Sequence, residues 1–157
     1  MLGLFKKGVC LMKTFQKTVG ILIVCVAVFL FSSCIYQKYL ADVDPVVVKE
    51  LIRLGVVPTS VAEVQQREIP DLDAGGTGAW WGYFGYACEK GGYDLYSYAG
   101  KTVTATSVDI RGTCQDQKIK INVFSDENVI VCTYLTMQEN LGGAPGVWPI
   151  NSEQCGY

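Results

Sequence analysis

An uncharged apolar run near the N-terminus, Val19–Phe31, constrains most strongly what this chain can fold into. Four lysines and no acidic residue precede the run, and Ser32-Ser33-Cys34 follows it. Its 13 residues lie within the roughly 7 to 15 of a secretory signal core and below the roughly 20 that cross a bilayer. Because lysines beside such a run stay in the cytoplasm, we expect the chain after Cys34 to lie on the extracytoplasmic side of a cell membrane.

The residues that end at Cys34 resemble the lipobox of bacterial lipoproteins, in which small residues precede a cysteine that is lipidated. Phe31 departs from the leucine that is usual in that motif. The resemblance implies that a signal peptide is removed and that Cys34 carries the lipid. The alternative is an uncleaved helix anchor, in which the apolar stretch extends through Tyr36 to about 18 residues. Either route makes the membrane a partner of the N-terminal segment, whether the chain starts at Met1 or at Met12.

The chain then divides into a signal or anchor segment (1–34), a linker (35–44) and one exported domain (45–157). About 123 residues follow Cys34, which is enough for one hydrophobic core and too few for two. This part holds nine basic residues against 15 acidic ones, because four of the 13 basic residues precede the apolar run, and its net charge is therefore −6. Since phosphate binding requires a basic surface, we expect no nucleic-acid partner.

The absence of histidine from the chain excludes several classes of enzyme. Ser-His-Asp and Cys-His catalysis and the imidazole-based zinc sites all require it. The sequence also contains no cofactor fingerprint. We therefore predict no cofactor and assign no catalytic residue.

Four cysteines lie in the exported part, at Cys88, Cys114, Cys132 and Cys155. An even number in an oxidising compartment allows two disulfides, in three connectivities that the sequence does not distinguish. Their gaps of 26, 18 and 23 residues contain no Cys-x-x-Cys knuckle, which disfavours a zinc site, and no metal is predicted. Buried free thiols are the alternative to disulfides.

Two helices are predicted. Asp44-Pro45 provides a cap and a first-turn proline, Gly55 a stop, and apolar residues between them recur at helical spacing, with Lys49, Glu50 and Arg53 on the wet face. After a glycine-rich loop, Thr77–Lys90 has the spacing of a helix that buries an aromatic stripe. The members of that stripe are Trp80, Phe84 and Cys88.

Three strands are predicted next, because the apolar residues there recur at every second position instead of at helical spacing. They are Thr102–Ile110, Lys118–Phe124 and Val129–Leu135, joined by a loose connection at Arg111–Gln117 and a tight hairpin at Ser125–Asn128. Lys118, Lys120 and Asn122 mark a wet face of the second strand. Val61–Ile69 is extended, and Gly142–Pro149 is an irregular loop whose Trp148 packs on the sheet edge. We predict a small α+β domain, with two short helices on the apolar face of a three- to four-stranded antiparallel meander.

Several of these segments together resemble the bacterial domain-of-unknown-function family forty-eight-thirty, over about Pro45–Ile150. The most specific match is Gly92–Lys101, with the pattern Gly-aromatic-Asp-Leu-x-x-Tyr-x-Gly-Lys; the looser matches are Ile69-Pro70, Tyr83, Tyr86 and Val129-Ile130. The resemblance implies a small exported or membrane-anchored protein with an opening helix, a tyrosine-rich helix and a strand pair. It implies no catalytic residue. Gly82, Gly85 and the cysteines depart from the family, so it implies nothing about disulfides.

The function expected from these features is that of a noncatalytic envelope domain that binds or senses an envelope protein or a glycan. The candidate binding residues are Trp80, Trp81, Asp94 and Lys101. The same residues also have a structural interpretation, in which the tryptophans belong to the core and Asp94 caps the turn that follows it. A second hypothesis is an envelope hydrolase that uses paired carboxylates from the set Asp71, Asp73, Glu89 and Asp94. A third, a thiol-redox protein, lacks the usual Cys-x-x-Cys motif.

Overall fold

A computed structural model describes residues 37–71, 78–138 and 146–157, and omits the side chains at 78–80. The predicted leader, the lipidation at Cys34 and the alternative helix anchor lie outside the described residues. So do Asp73 and most of the glycine-rich loop. Among the described helices, none has the length and apolar character needed to cross a membrane.

The described secondary structure combines helices with one antiparallel sheet. In chain order it consists of α1 (Pro45–Arg53), β1 (Glu63–Glu68), α2 (Gly78–Lys90), a 3-10 helix (Tyr96–Tyr98), β2 (Thr102–Cys114), β3 (Gln117–Asp126), β4 (Val129–Met137), β5 (Val147–Pro149) and β6 (Cys155–Gly156). The strand order is β1-β2-β3-β4-β5, and β6 pairs with β2. The predicted α+β class with an antiparallel sheet is confirmed. The prediction of three to four strands was too low, because β1, β5 and β6 also join the sheet.

Helix α1 forms as its cap residues predict. The carboxylate of Asp44 accepts a hydrogen bond of 2.8 Å from the N–H of Val46, and Gly55 ends the helix with φ +69°. Val47 and Leu51 are fully buried. The compact unit begins at Lys38, inside the segment predicted as a linker, and that segment contributes Leu40 and Val43 to the core.

The connection between β2 and β3 differs from the prediction. It is a two-residue turn, Gln115-Asp116, in which both residues have positive φ, +49° and +64°, as in the tight type I′ hairpin. The predicted loose connection across Arg111–Gln117 was wrong because β2 continues beyond Ile110. A bulge near Gly112, where the register with β3 shifts, carries the strand on to Cys114. The second hairpin turns at Glu127-Asn128, within the predicted segment.

Helices cover both faces of the sheet, as the five consecutive buried residues Val131–Leu135 of β4 require. The register places Phe124 and Cys132 opposite each other on the face that packs against α2. The alternate residues of β3 and β4 lie on the other face, towards α1, which contacts both strands. The buried members of this second set are Ile119, Ile121, Val123, Thr133 and Leu135.

The prediction that both helices lie on one apolar face was therefore wrong. The solvent-exposed face that Lys118, Lys120 and Asn122 mark in the sequence is confined to one end of the sheet. There Lys118 is exposed and the other two residues are half-buried. Farther along the same face, Phe124 is buried under α2. The alternation of polar and apolar residues along β3 does not reveal that Phe124 is covered, because it does not show how far α2 extends over the sheet.

The C-terminal segment is more regular than predicted. Val147–Pro149 forms β5, in which Trp148 lies opposite Leu135 of β4, so the prediction of an irregular loop was wrong for these residues. Trp148 is buried at this end of the sheet, as expected. Residues 139–145, which include half of the predicted loop, lie outside the described residues.

Gly112 at the β2 bulge provides a test of this arrangement. It has φ +145°, and a Cβ added there would collide with the carbonyl oxygen of Gly156 and lie 2.9 Å from the Cα of Tyr157. We expect Gly112→Ala to lower the free energy of unfolding by about 2 kcal/mol or more, measured by urea denaturation. Gly82→Ala, whose Cβ would meet nothing within 4 Å, is the control and should be neutral or slightly stabilising. Equal stability of Gly112→Ala and the parent would contradict the described bulge.

Candidate functional site

Two disulfides fix the elements around the candidate site. Cys88–Cys132 joins the last turn of α2 to β4, with 5.3 Å between the Cα atoms, and Cys114–Cys155 joins β2 to β6, with 4.1 Å. The structure thus supports the predicted disulfides and selects one of the three connectivities. Spacing along the chain could not select it, because Cys114 and Cys155 become neighbours only through the pairing of β2 with β6.

The inner face of α2 is an aromatic contact with the sheet. The ring of Phe84 stacks on that of Tyr134 at 5.0 Å between centroids, and Trp81 lies 5.5 Å from Phe84, edge to face. Trp81 also lies 5.9 Å from Phe124. The stripe is confirmed at Cys88, which is fully buried, and at Phe84, which is half-buried against the same core, as is the candidate Trp81. The side chain of the other candidate, Trp80, lies outside the described residues.

The outer side of α2 displays tyrosines. Tyr83 and Tyr86 are 59% and 56% exposed and, at positions i and i+3, lie on the same helix face. Tyr96, 43% exposed, packs on α2 at Gly85. A Cβ at Gly85 would lie 3.1 Å from this ring, so the glycine lets the ring rest against the helix backbone. We call Tyr83, Tyr86 and Tyr96 the tyrosine surface.

Two lysines border the tyrosine-rich region. The Nζ atom of Lys90 lies 5.4 Å from the centroid of the Tyr86 ring, and that of Lys101 lies 4.4 Å from the Tyr98 ring. Both distances are within the range of cation–π attraction. The region therefore combines exposed rings with two lysines, and the exposed carboxylates of Glu89 and Asp94 lie in the same segments.

The segment Gly92–Lys101 positions Tyr96. Gly92 and Gly100 take φ +88° and +75°, values that favour glycine, and Leu95 is fully buried. The carboxylate of Asp94 accepts a hydrogen bond of 3.2 Å from the N–H of Ser97, which is the capping contact expected from the sequence. Asp94 and Lys101 thus each have a structural contact, and ligand binding by these two residues stays a prediction.

A buried charge on α1 was missed by the sequence analysis. Glu50 was assigned to the wet face with Lys49 and Arg53, yet it is only 8% exposed. Its carboxylate accepts two hydrogen bonds from the Arg53 guanidinium, at 2.8 and 2.7 Å, and one of 2.5 Å from the hydroxyl of Tyr93. Tyr93 belongs to the segment after α2, so the carboxylate connects that segment to α1. A partner so distant along the chain leaves no local signal.

The electrostatics of this contact follow from its geometry. The hydrogen bonds from Arg53 lower the pKa of Glu50, and they outweigh the opposite effect of burial. Burial, together with the hydrogen bond to Glu50, raises the pKa of Tyr93. At neutral pH the contact therefore consists of a carboxylate, a guanidinium and a neutral phenol, a combination that favours a stable connection over proton transfer.

Three of the four carboxylates of the hydrolase hypothesis belong to the described residues. Asp71, Glu89 and Asp94 are exposed, and Asp73 lies outside the described residues. In the part of the chain that the structure describes, no group of three or more His, Cys, Asp or Glu residues could hold a metal ion. The hydrolase hypothesis stays a prediction.

Comparison of the chain with models of protein families, with curated proteins and with solved structures finds no match. The resemblance to family forty-eight-thirty stays a prediction.

The disulfides should account for a large share of the stability. We expect the variant Cys88→Ala/Cys132→Ala to lose about 2 to 5 kcal/mol of unfolding free energy, because it removes a link across 44 residues. Reductant should lower the urea midpoint of the parent further than that of this variant, which retains Cys114–Cys155. A parent midpoint that does not respond to reductant would show that the disulfides are absent.

The Glu50 contact predicts a pH dependence with a definite sign. Because folding lowers the pKa of Glu50 from its usual 4.5, its contribution is present above about pH 4.5 and is lost as the pH falls through the folded value. Glu50→Gln should therefore lower the unfolding free energy by about 1 to 2 kcal/mol at pH 7, and the difference should shrink towards pH 3. Urea denaturation at several pH values measures this. Glu89→Gln, on the exposed side of α2, is the control, and a Glu50→Gln difference that stays constant with pH would refute the assignment.

Proposed function

We propose that this protein is a bacterial cell-envelope protein whose extracytoplasmic domain is tethered to the membrane at its N-terminus and binds another envelope component, a protein or a glycan, without catalysing a reaction. The tether is a lipid on Cys34 or, alternatively, the uncleaved apolar helix. The leader pattern, the acidic exported part and the lack of histidine support the proposal. Two disulfides agree with an oxidising compartment. The proposal includes a relationship to family forty-eight-thirty through Gly92–Lys101.

The observation that carries the proposal is the tyrosine surface. Tyrosine at an exposed position offers a large apolar ring and a hydroxyl, and it loses little conformational entropy when a partner covers it. Aromatic residues are enriched at the centres of binding surfaces, where they contribute most of the affinity. Two such rings on one face of α2 and a third that packs on the same helix therefore favour recognition as their role.

The rigid attachment of this surface strengthens the argument. Cys88–Cys132 bonds α2 to β4, the inner aromatics hold the helix against the sheet, and Gly85 seats Tyr96 on the helix. A surface that is already ordered before binding gives up less free energy when it binds. Lys90 and Lys101 add charge beside the rings, which suits a partner with acidic groups.

Photo-crosslinking in intact cells tests the proposal. We expect p-benzoylphenylalanine placed at Tyr86 to form adducts with an envelope protein or with the cell-wall glycan. The same residue placed at Val129, which is 54% exposed and adjoins the β3–β4 turn, is the control and should form none. Adducts that are equal at both positions would refute a specific surface on α2.

A variant series then measures the role of the rings. The triple variant Tyr83→Ser/Tyr86→Ser/Tyr96→Ser should weaken binding to the captured component about 100-fold, as expected for the loss of several central aromatic contacts. The matched triple Tyr→Phe variant keeps the rings and should retain most of the affinity. Full affinity of the serine variant would place the binding site elsewhere.

A further inference from the structure

The place where the chain enters the domain is fixed by backbone and core contacts. The compact unit begins at Lys38, and the carbonyl of Tyr39 accepts a hydrogen bond of 3.0 Å from the N–H of Ala62. The entering chain therefore lies beside the residues that lead into β1. Leu40 and Val43, which follow, are buried in the core, so the entry point cannot move independently of the domain.

The connection to the membrane is short relative to the domain. Under the proposed function, on which this inference rests, Cys34 carries the lipid, and Tyr39 follows it by five residues. An extended chain advances at most about 3.6 Å per residue, so Tyr39 lies within about 18 Å of the lipidated residue. The 120 residues Lys38–Tyr157 correspond to a radius of gyration of about 14 Å and a diameter of about 35 Å. The side of the domain opposite the entry point therefore cannot reach the bilayer. An uncleaved helix through Tyr36 would shorten the connection further.

Exposed apolar side chains lie at this entry point. Val61 and Val64 are 66% and 46% exposed, and they stand one residue before and two residues after Ala62. Since extended chain advances about 3.3 Å per residue, both lie within about 7 Å of Ala62 along the chain. Tyr39 is half-buried at the same place. We call Tyr39, Val61 and Val64 the entry surface. Single exposed valines are common on soluble domains, so the informative feature is their position beside the tether.

The charges around the entry surface indicate which force would hold it to lipid. The Nζ atom of Lys38 lies 5.0 Å from the centroid of the Tyr39 ring, and both residue types are frequent at the level of lipid headgroups. Asp42 and Glu63 are exposed in the same segments, so net charge does not attract this surface to anionic lipid. Apolar contact remains as the source of attraction, and the tether favours it by keeping the local concentration of lipid high.

We propose that the entry surface rests on the lipid surface of the membrane that carries the tether. Val61 and Val64 contact lipid at the level of the headgroups, and the Tyr39 ring lies beside them. The domain is then held at two places, by the tether and by this contact. Its rotation relative to the membrane is restricted, and the tyrosine surface keeps a constant position relative to the bilayer.

Photo-crosslinking of the full chain to lipid, in native membranes, tests the contact. p-Benzoylphenylalanine is placed at Val61 or at Val64 in cells whose phospholipids carry radioactive phosphate. We expect about fivefold more labelled lipid adduct at each position than at Val129, because an adduct forms only where the side chain touches lipid. Val129 is equally apolar and 54% exposed. It is the control because β2 and β3 separate its strand from β1, a distance of about 14 Å across the sheet.

A reciprocal pair of variants tests whether the two valines act in one contact. Val64→Ser should lower the lipid adducts of the crosslinker at residue 61 by about twofold or more, because serine removes apolar area that lipid would cover. Val61→Ser should lower those of the crosslinker at residue 64 to a similar degree. Val129→Ser is the matched control and should change neither yield. Retention of both disulfides, assayed by thiol alkylation, shows that each variant is folded.

The possible outcomes separate this inference from the proposed function. A chain that fractionates with the membrane, yet forms no more lipid adduct at residues 61 and 64 than at residue 129, would overturn the contact and leave the tether intact. Protein adducts in place of lipid adducts would assign the entry surface to a protein partner and would also overturn it. A chain recovered in the soluble fraction would refute the tether, and the lipid contact with it.

Discussion

The burial of β4 on both faces is the constraint on which the rest of the described structure depends. Cys132 and Tyr134 point towards α2 and Thr133 and Leu135 towards α1, and all four are buried. A strand buried on both sides needs a covering layer on each, so the helices cannot share one face. The bond from Cys132 to Cys88 makes one of these layers covalent. Tyr93 and Glu50 then connect the segment after α2 to the helix on the opposite face.

Much of this fold could be predicted from local signals. Asp44, Pro45 and Gly55 act within one or two turns of the chain, and they set the ends of α1 as expected. β2, β3 and β4 were found because alternation with period two is visible within one strand. Several of the failures share a physical cause, since they depend on contacts between segments far apart in the chain. β5 is a strand only because it pairs with β4, and Glu50 is buried because of a tyrosine 43 residues away.

The β2–β3 turn shows a subtler limit of sequence reasoning. Tight type I′ hairpins usually reveal themselves through Asn-Gly or Asp-Gly, and this turn uses Gln115-Asp116 instead. The glycine signal at Gly112 belongs to the bulge three residues earlier, where the chain approaches Gly156 and Tyr157. The pattern therefore suggested a loose connection in a place where the strand in fact continues. Gly112 indicated an unusual backbone conformation at this position. It did not indicate whether that conformation belongs to a turn or to a bulge.

The candidate site could be predicted only in part, for a related reason. All the aromatics from Trp80 to Tyr86 look alike in the sequence, and only the rotational phase of α2 separates core from surface. The Cys88–Cys132 bond fixes that phase. Trp81 and Phe84 precede Cys88 by seven and four residues and so share its inner side, whereas Tyr83 and Tyr86 turn outward. The predicted stripe already contained Phe84 and Cys88, so the same phase predicts that Tyr83 and Tyr86 face outward. The disulfide connectivity, which spacing alone left open, adds the strand against which the inner side of the helix packs.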